Sequence, residues 1–309
     1  MKIVYMGTPE FAVPALRALV QSGETVVLAV TQPDKARNRG KKVQPTPVKA
    51  AAEALKIPVV QPEKIKNNQE FLDEIRKLSP DLIVVAAYGK ILPPELLEIP
   101  RLGCVNIHAS LLPRFRGAAP IQHAILEGDT QTGVTLMYMA EGLDTGDMIA
   151  KRSTITAGKT AGDLHDELSV LGAELLLETL PALKDGSAPR EVQDEALATY
   201  APMIFKQDGH VDFTRTPEEI ERHIRGMAPW PGAFALYKGE AVKLLAASAL
   251  DKKTDAAPGT ILAAEKEGVD VSAGGRILRV TRIQMPGKRP VDVAEFLRGN
   301  QLDVSEILR

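Results

Sequence analysis

In the run Cys104-Val-Asn-Ile-His-Ala-Ser-Leu-Leu-Pro-Arg-Phe-Arg-Gly-Ala-Ala-Pro120, Asn106 and His108 stand two residues apart in a short apolar stretch. On a β-strand that spacing sends both side chains from one face, so an amide and an imidazole converge at the strand's carboxyl end. Both can donate to an oxygen that gains negative charge, and an imidazole can also move a proton. Without chemistry, the same pair reads as an asparagine capping a strand end and a satisfied, half-buried histidine. The following loop favours the functional reading. Pro113, Gly117 and Pro120 constrain it, Arg114 and Arg116 charge it, and constrained loops at strand ends are disproportionately functional sites.

An acidic element, Gly142-Leu-Asp-Thr-Gly-Asp147, lies between two β-rich runs. Asp144 suits a turn, where it would satisfy backbone N–H groups. In a hairpin packed beside the strand 103–108, it would instead reach His108 and orient the ring; Asp147 is the competing carboxylate. No Ser or Cys nucleophile stands in a recognisable setting. The trio therefore fits acyl transfer in which the substrate is itself the nucleophile, such as an amine attacking an activated formyl carbon.

The elements that must position these groups alternate. Apolar, β-branched strands are expected at 2–7, 24–32, 57–62, 81–89 and 103–108, with helices at 9–20, 48–55 and 68–78. The run DLIVVAAYG is continuously apolar, as in a strand covered on both faces. Such alternation specifies an α/β fold, a doubly wound, mostly parallel Rossmann-like sheet with its site beyond the carboxyl ends of the strands. From Gly133 the pattern becomes an antiparallel hairpin, followed by a helix over 160–184 with Thr160 as N-cap.

The stretch 185–205 has no sustained period, and we read 190–205 as a linker between a catalytic domain, 1–189, and a second domain, 206–309. That second domain opens with a helix after Thr216 (TPEEIERHIRGM) and continues in short strands at 233–238, 241–250, 259–264, 269–273 and 276–285. Five short strands in so few residues suggest a small, OB-like open β-barrel.

Composition narrows the function classes. The 309 residues are 44% apolar, 25% charged and 4% aromatic, which describes a globular chain whose core is aliphatic and in which base-stacking platforms are scarce. The formal charge of −2 means that a polyanionic partner must be met by local basic patches. The lone Cys104 and an opening without a long apolar or Arg-rich segment fit a reducing cytoplasm and no membrane association. His123, His165, His210 and His223 are dispersed, so no metal is expected, and Gly7-Thr8-Pro9 is not a dinucleotide fingerprint. Cys104 reads as an inert core thiol, and Trp230, between two prolines, as an anchor of the second domain's packing.

The segments NIHASLLPRFRGAAP, LDTGD and MGTPEFAVPAL resemble those of the tetrahydrofolate-dependent formyltransferases, and QPDKARNRGKK, FKQDGHVDF and APWPGAF extend the likeness over nearly the whole chain. The resemblance implies 10-formyltetrahydrofolate as formyl donor and the amine of initiator methionyl-tRNA as acceptor. It implies Asn106, His108 and Asp144 as catalytic, and Ser110, Leu111, Leu112 and Pro113, with Tyr88, Gly89 and Ile91, as the folate pocket. The protein is expected to act as a monomer.

The segment 35–42 carries five basic residues in eight and reads as a loop. Such a run is commonly a solvated face, but the resemblance implies a tRNA-contacting insertion, with Arg39, Lys41 and Lys42 on phosphate. Arg276, Arg279, Arg282, Lys288 and Arg289 form a second basic stretch that could dock the terminal domain on a nucleic-acid backbone. A sibling acting on a sugar nucleotide or purine precursor should lack these basic elements. A formyl-folate hydrolase should carry a different second domain, and an intact trio speaks against a non-catalytic RNA binder.

Overall fold

The computed structural model describes residues 1–37 and 42–309. In chain order its strands are β1 (Lys2–Gly7), β2 (Thr25–Val30), β3 (Lys35–Arg37), β4 (Lys42–Gln44), β5 (Val59–Val60), β6 (Leu82–Ala86), β7 (Cys104–His108), β8 (Arg116–Gly117), β9 (Gln131–Tyr138), β10 (Met148–Ile155), β11 (Tyr200–Ala201), β12 (Phe234–Tyr237), β13 (Glu240–Lys253), β14 (Ile261–Glu265), β15 (Gly268–Ala273), β16 (Arg276–Gln284) and β17 (Val291–Asp292). The α-helices are α1 (Val13–Gln21), α2 (Pro47–Ala54), α3 (Gln69–Leu78), α4 (Pro94–Leu97), α5 (Pro120–Leu126), α6 (Ala161–Asp185), α7 (Pro217–Gly226) and α8 (Val293–Phe296). Two compact units form. The first comprises Met1–Pro120, Gln131–Ile155 and His165–Pro202; the second comprises Ile121–Thr130, Thr156–Leu164 and Met203–Arg309.

The first unit holds a seven-stranded sheet in the order β10-β9-β7-β6-β1-β2-β5. Strands β5, β2, β1, β6 and β7 are parallel, and β9 and β10 run antiparallel beyond β7. Strand order reverses at β1, where a doubly wound sheet opens its crevice. Strands β1, β2 and β6 are apolar on both faces because helices cover both, and Val4, Met6, Leu28, Val30, Ile83 and Val85 pack in one aliphatic cluster with Phe71 and Ile75 of α3. The third expected strand shrinks to Val59–Val60.

Period-two alternation divides β7. Ile107 faces α6, where a Cβ at Gly172 would stand 2.6 Å from Ile107 Cγ2, so glycine lets helix and strand approach closely. Asn106 and His108 leave the other face. On that side Cys104 lies in the aliphatic cluster, and burial pushes its thiol up to about 12, in keeping with an inert core residue.

The second unit contains an antiparallel sheet in the order β12-β13-β16-β15-β14, with β17 paired to β16. Strands β12 and β14 are not joined, so the sheet stays open. Helix α7 begins in a capping box: Thr216 Oγ1 accepts from the Glu219 N–H, and the Glu219 carboxylate accepts from the Thr216 N–H. Trp230 is 57% exposed and so does not anchor this packing.

Candidate active site

Strand β7 lies between β6 and β9, with Asn106 opposite Val85 on one side and Met137 on the other, and His108 opposite Thr135. Two residues of strand separate the pair by roughly 6.5 Å. Asn106 is 9% exposed, and among the described residues its amide has no hydrogen-bond partner. Its polar atoms are not fully sealed from solvent, so the unused donor on this face is open to a ligand.

The buried His108 ring is flanked on both sides. Its Nε2 lies 2.9 Å from the carbonyl oxygen of Phe115, and its Nδ1 lies 3.6 Å from Asp144 Oδ2. A carbonyl only accepts, so the hydrogen shared with Phe115 belongs to Nε2. Asp144 Oδ2 also accepts from the Gly117 N–H at 2.9 Å. The structure thus brings Asp144 to His108, and leaves Asp147 facing Arg190 at 3.6 Å.

Asp144 arrives by an unexpected route. Because β9 runs antiparallel to β7, Tyr138 at its end stands beside Val105, and the loop to β10 leaves at the amino end of β7. Asp144 must return over the sheet face by about three residues' rise, roughly 10 Å, to meet His108. The loop 139–147 is long enough to do so, and Asp144 adopts a left-handed φ of 53°, which Asp tolerates better than most residues.

Residues 109–117 form a tight turn above β7. Thr135 Oγ1 donates to the Ser110 carbonyl at 2.7 Å and accepts from the Leu112 N–H at 3.1 Å, while Ser110 Oγ donates to the Arg114 carbonyl. Ser110 is fully buried and Leu112 packs with Met137 and Met148. These two side chains therefore help to build the turn, and Ser110 and Leu112 face a neighbouring site through their backbone more than through their side chains. Leu111 and Pro113 are partly exposed beside them.

At the end of β6, the Tyr88 carbonyl accepts from Thr8 Oγ1 at 3.1 Å and Gln32 Nε2 at 2.8 Å. Gly89 has φ 79°, and a Cβ there would come within 2.6 Å of the Gln32 amide. The Tyr88 ring lies in the aliphatic cluster, its hydroxyl buried without a partner among the described residues and pushed up to about 12 by burial, whereas Ile91 is 73% exposed.

Arg39 and Lys41 lie outside the described residues. Lys42 opens β4, which pairs antiparallel with β3, so the ends of the basic segment are strands where a loop was expected. The second basic stretch is largely neutralised within its own unit. Arg279 makes a bidentate pair with Asp270, Arg276 pairs with Glu218, Arg282 with Asp292 and Arg289 with Glu295. It therefore offers far less free charge than its sequence suggests.

Sequence reasoning missed the contribution of the stretch read as a linker. Residues 191–201 lie along the site loops: Glu191 and Met148 exchange both backbone hydrogen bonds, β11 pairs with β8, and Arg116, wholly buried, is held by Gln193 and Glu195. Hydrogen bonding to Glu195 raises the Arg116 pKa above its ordinary value. A surface cleft of about 500 Å³ lined by Arg76, Asp81, Glu95, Glu98 and Arg101 lies at the amino end of β6, away from these groups. The described residues include no group of three or more His, Cys, Asp or Glu placed to hold a metal ion, and no helix long and apolar enough to cross a membrane.

A formyl transferase family model matches residues 1–180, and a model of the formyl transferase C-terminal domain matches residues 203–301. The chain is 48% identical over 304 residues to the methionyl-tRNA formyltransferase of Geobacter sulfurreducens, covering 98% of this chain and 95% of that protein. It is 47% identical over 309 residues to that of Clostridioides difficile, covering 100% of both. Among solved structures, an N-formyltransferase from Helicobacter canadensis in complex with folinic acid and dTDP-3-aminofucose matches with a TM-score of 0.68 at 18% identity, over 91% of this chain and 98% of that one. HypX from Aquifex aeolicus matches with a TM-score of 0.65 at 20% identity over 98% of this chain, which spans 49% of the length of HypX. At these identities the structural matches speak for the fold.

Proposed function

The chain belongs to the formyl transferase family, and we propose that it transfers the formyl group of 10-formyltetrahydrofolate to the amine of the methionyl group on initiator tRNA, giving N-formylmethionyl-tRNA for translation initiation. The observation that carries the chemistry is the unpartnered Asn106 amide beside a His108 ring that faces Asp144 at 3.6 Å.

In this mechanism the neutral amine attacks the formyl carbon, and Asn106 and His108 donate to the oxyanion that forms. For His108 this means exchanging the neutral Phe115 carbonyl for a charged acceptor, which takes the stronger hydrogen bond. The exchange favours the transition state over the free protein, as catalysis requires. Asp144 orients the ring and helps pass the proton from the new ammonium to the folate nitrogen that departs. Ser110, Leu111, Leu112 and Pro113, with Tyr88, Gly89 and Ile91, shape the folate site.

Arg39, Lys41 and Lys42 contact tRNA phosphates, and residues 206–309 form a tRNA-binding domain that follows, in chain order, a catalytic domain that gains 190–202 from the stretch read as a linker. The protein acts as a monomer in the cytoplasm. Incubating it with formyl-folate and charged initiator tRNA should yield formylated methionine, with elongator tRNA and free methionine giving far less. Formylation of free methionine at an equal rate, or none of the initiator, overturns the reading.

A further inference from the structure

We propose that Gln193 is a positioning residue that folds the loop 139–147 back over β7 and so fixes Asp144 against His108. This inference rests on the proposed role of Asp144. Gln193 is buried, and its whole amide is committed. Oε1 accepts from Arg116 Nε at 3.0 Å, and Nε2 donates to the carbonyls of Asp144 and Gly146, each at 2.8 Å. The assignment of oxygen and nitrogen is dictated by the neighbours, since the reverse would set an oxygen against two carbonyls and an NH2 against a guanidinium.

The geometry explains why such a clamp is needed. The loop leaves β9 at the amino end of β7, yet Asp144 works at the carboxyl end, in a left-handed conformation. Close packing already pins the loop at Gly146, where a Cβ would meet the Tyr138 carbonyl at 1.8 Å, but nothing there aims Asp144. Gln193 holds the Asp144 backbone, and the Gly117 N–H holds its carboxylate. Arg116 joins the two supports, because it precedes Gly117 in the chain and donates to Gln193. The bidentate pair with Glu195 fixes the guanidinium in turn.

Two variants separate this role from a structural one. Gln193→Glu keeps the acceptor for Arg116 but loses the donors to the two carbonyls, and Gln193→Met loses both without adding charge. Each should lower kcat by about 10–100-fold, the usual effect of removing an outer support of a reacting group. KM for formyl-folate and for the charged tRNA should stay within about threefold, because Gln193 is buried and its amide is committed to protein partners. In an Asp144→Asn background, measured in single turnover, Gln193→Met should cost less than about threefold more, since there is no longer a carboxylate to aim.

Full kcat in both variants, an equal loss from Gln193→Met with and without the Asp144 carboxylate, or a loss confined to Gln193→Glu overturns the proposal. Failure of both variants to fold assigns Gln193 to the fold and does the same. If Asp144→Asn alone keeps full kcat, the proposed role of Asp144 fails first; if it abolishes turnover while the Gln193 variants keep theirs, only the present inference fails.

Discussion

Replacing Asn106 by leucine should separate activity from stability. Asn106 is 9% exposed, and its amide has no protein hydrogen-bond partner among the described residues but is not fully sealed from solvent, so the free protein carries part of the cost of a polar group taken out of water. That cost runs to about 1–3 kcal/mol, and the remaining exposure sets it near 1 kcal/mol here. Leucine has a similar volume and would lie between Val85 and Met137, its neighbours across the sheet. Asn106→Leu should therefore stabilise the first unit by about 1 kcal/mol, which raises Tm by about 2–4 °C in a unit of this size. Activity should move the other way. Loss of one oxyanion donor costs about 10²–10³ in kcat, or ~2.7–4 kcal/mol of transition-state stabilisation. Thermal unfolding and single-turnover formylation on one preparation test both halves. A Tm lowered by several degrees would make the amide a structural group, and a kcat within fivefold of the parent would remove it from the transition state.

Gly117→Ala should damage fold and activity together: φ is 117°, a new Cβ would lie 2.8 Å from the Ala201 carbonyl, and the N–H that holds Asp144 would shift. We expect a loss of about 1–3 kcal/mol in denaturant unfolding, and unchanged unfolding with full kcat contradicts the assignment. In the second unit, burial lowers the His223 pKa, and its Nε2 has no partner among the described residues. The native ring stays neutral to lower pH than the unfolded one, so the group is silent above about pH 6.5 and costs stability as pH falls below it. Fluorescence of Trp230, the chain's one tryptophan, should report a loss of stability between pH 7.5 and 5.5 that His223→Gln reduces; an equal loss in both proteins refutes it. Arg39→Ala and Lys41→Ala should each flatten the dependence of log Kd for tRNA on log salt by about 0.7–0.9, whereas an unchanged slope removes that residue from phosphate contact.

What the sequence makes legible is whatever depends on short-range pattern. The two-residue spacing of Asn106 and His108 on an apolar stretch is enough to put them on one face, and Thr216 with Glu219 announces the start of α7. The antiparallel hairpin and the open terminal sheet follow from turn residues between β-rich runs. What stays hidden depends on contacts between distant residues. Gln193 lies 77 residues from Arg116 and 49 from Asp144, in a segment with no period, so a polar run that closes the site reads as a connector. The basic stretch from Arg276 to Arg289 looks free for the same reason. Asp270 is the cross-strand neighbour of Arg279 and Asp292 that of Arg282, a pairing that only the register reveals. That Thr135, on β9, ties down the backbone of Ser110 and Leu112 is likewise invisible in the sequence.

The division of labour within the site follows from these supports. Asn106 and His108 sit on a central strand bonded on both sides, where a donor's position is set by the sheet and costs nothing to hold during reaction. Asp144 sits on a loop that must double back, so its position depends on side chains and one N–H. In the free protein, His108 is bonded to a neutral carbonyl at 2.9 Å and stands 3.6 Å from Asp144, beyond hydrogen-bond length. Each of these contacts is weaker than the one the developing oxyanion and imidazolium would make. A site built this way binds its ground state loosely at the reacting centre and reserves its best hydrogen bonds for the adduct. Tightening the His108–Asp144 contact in the resting protein would therefore stabilise the fold at the expense of rate.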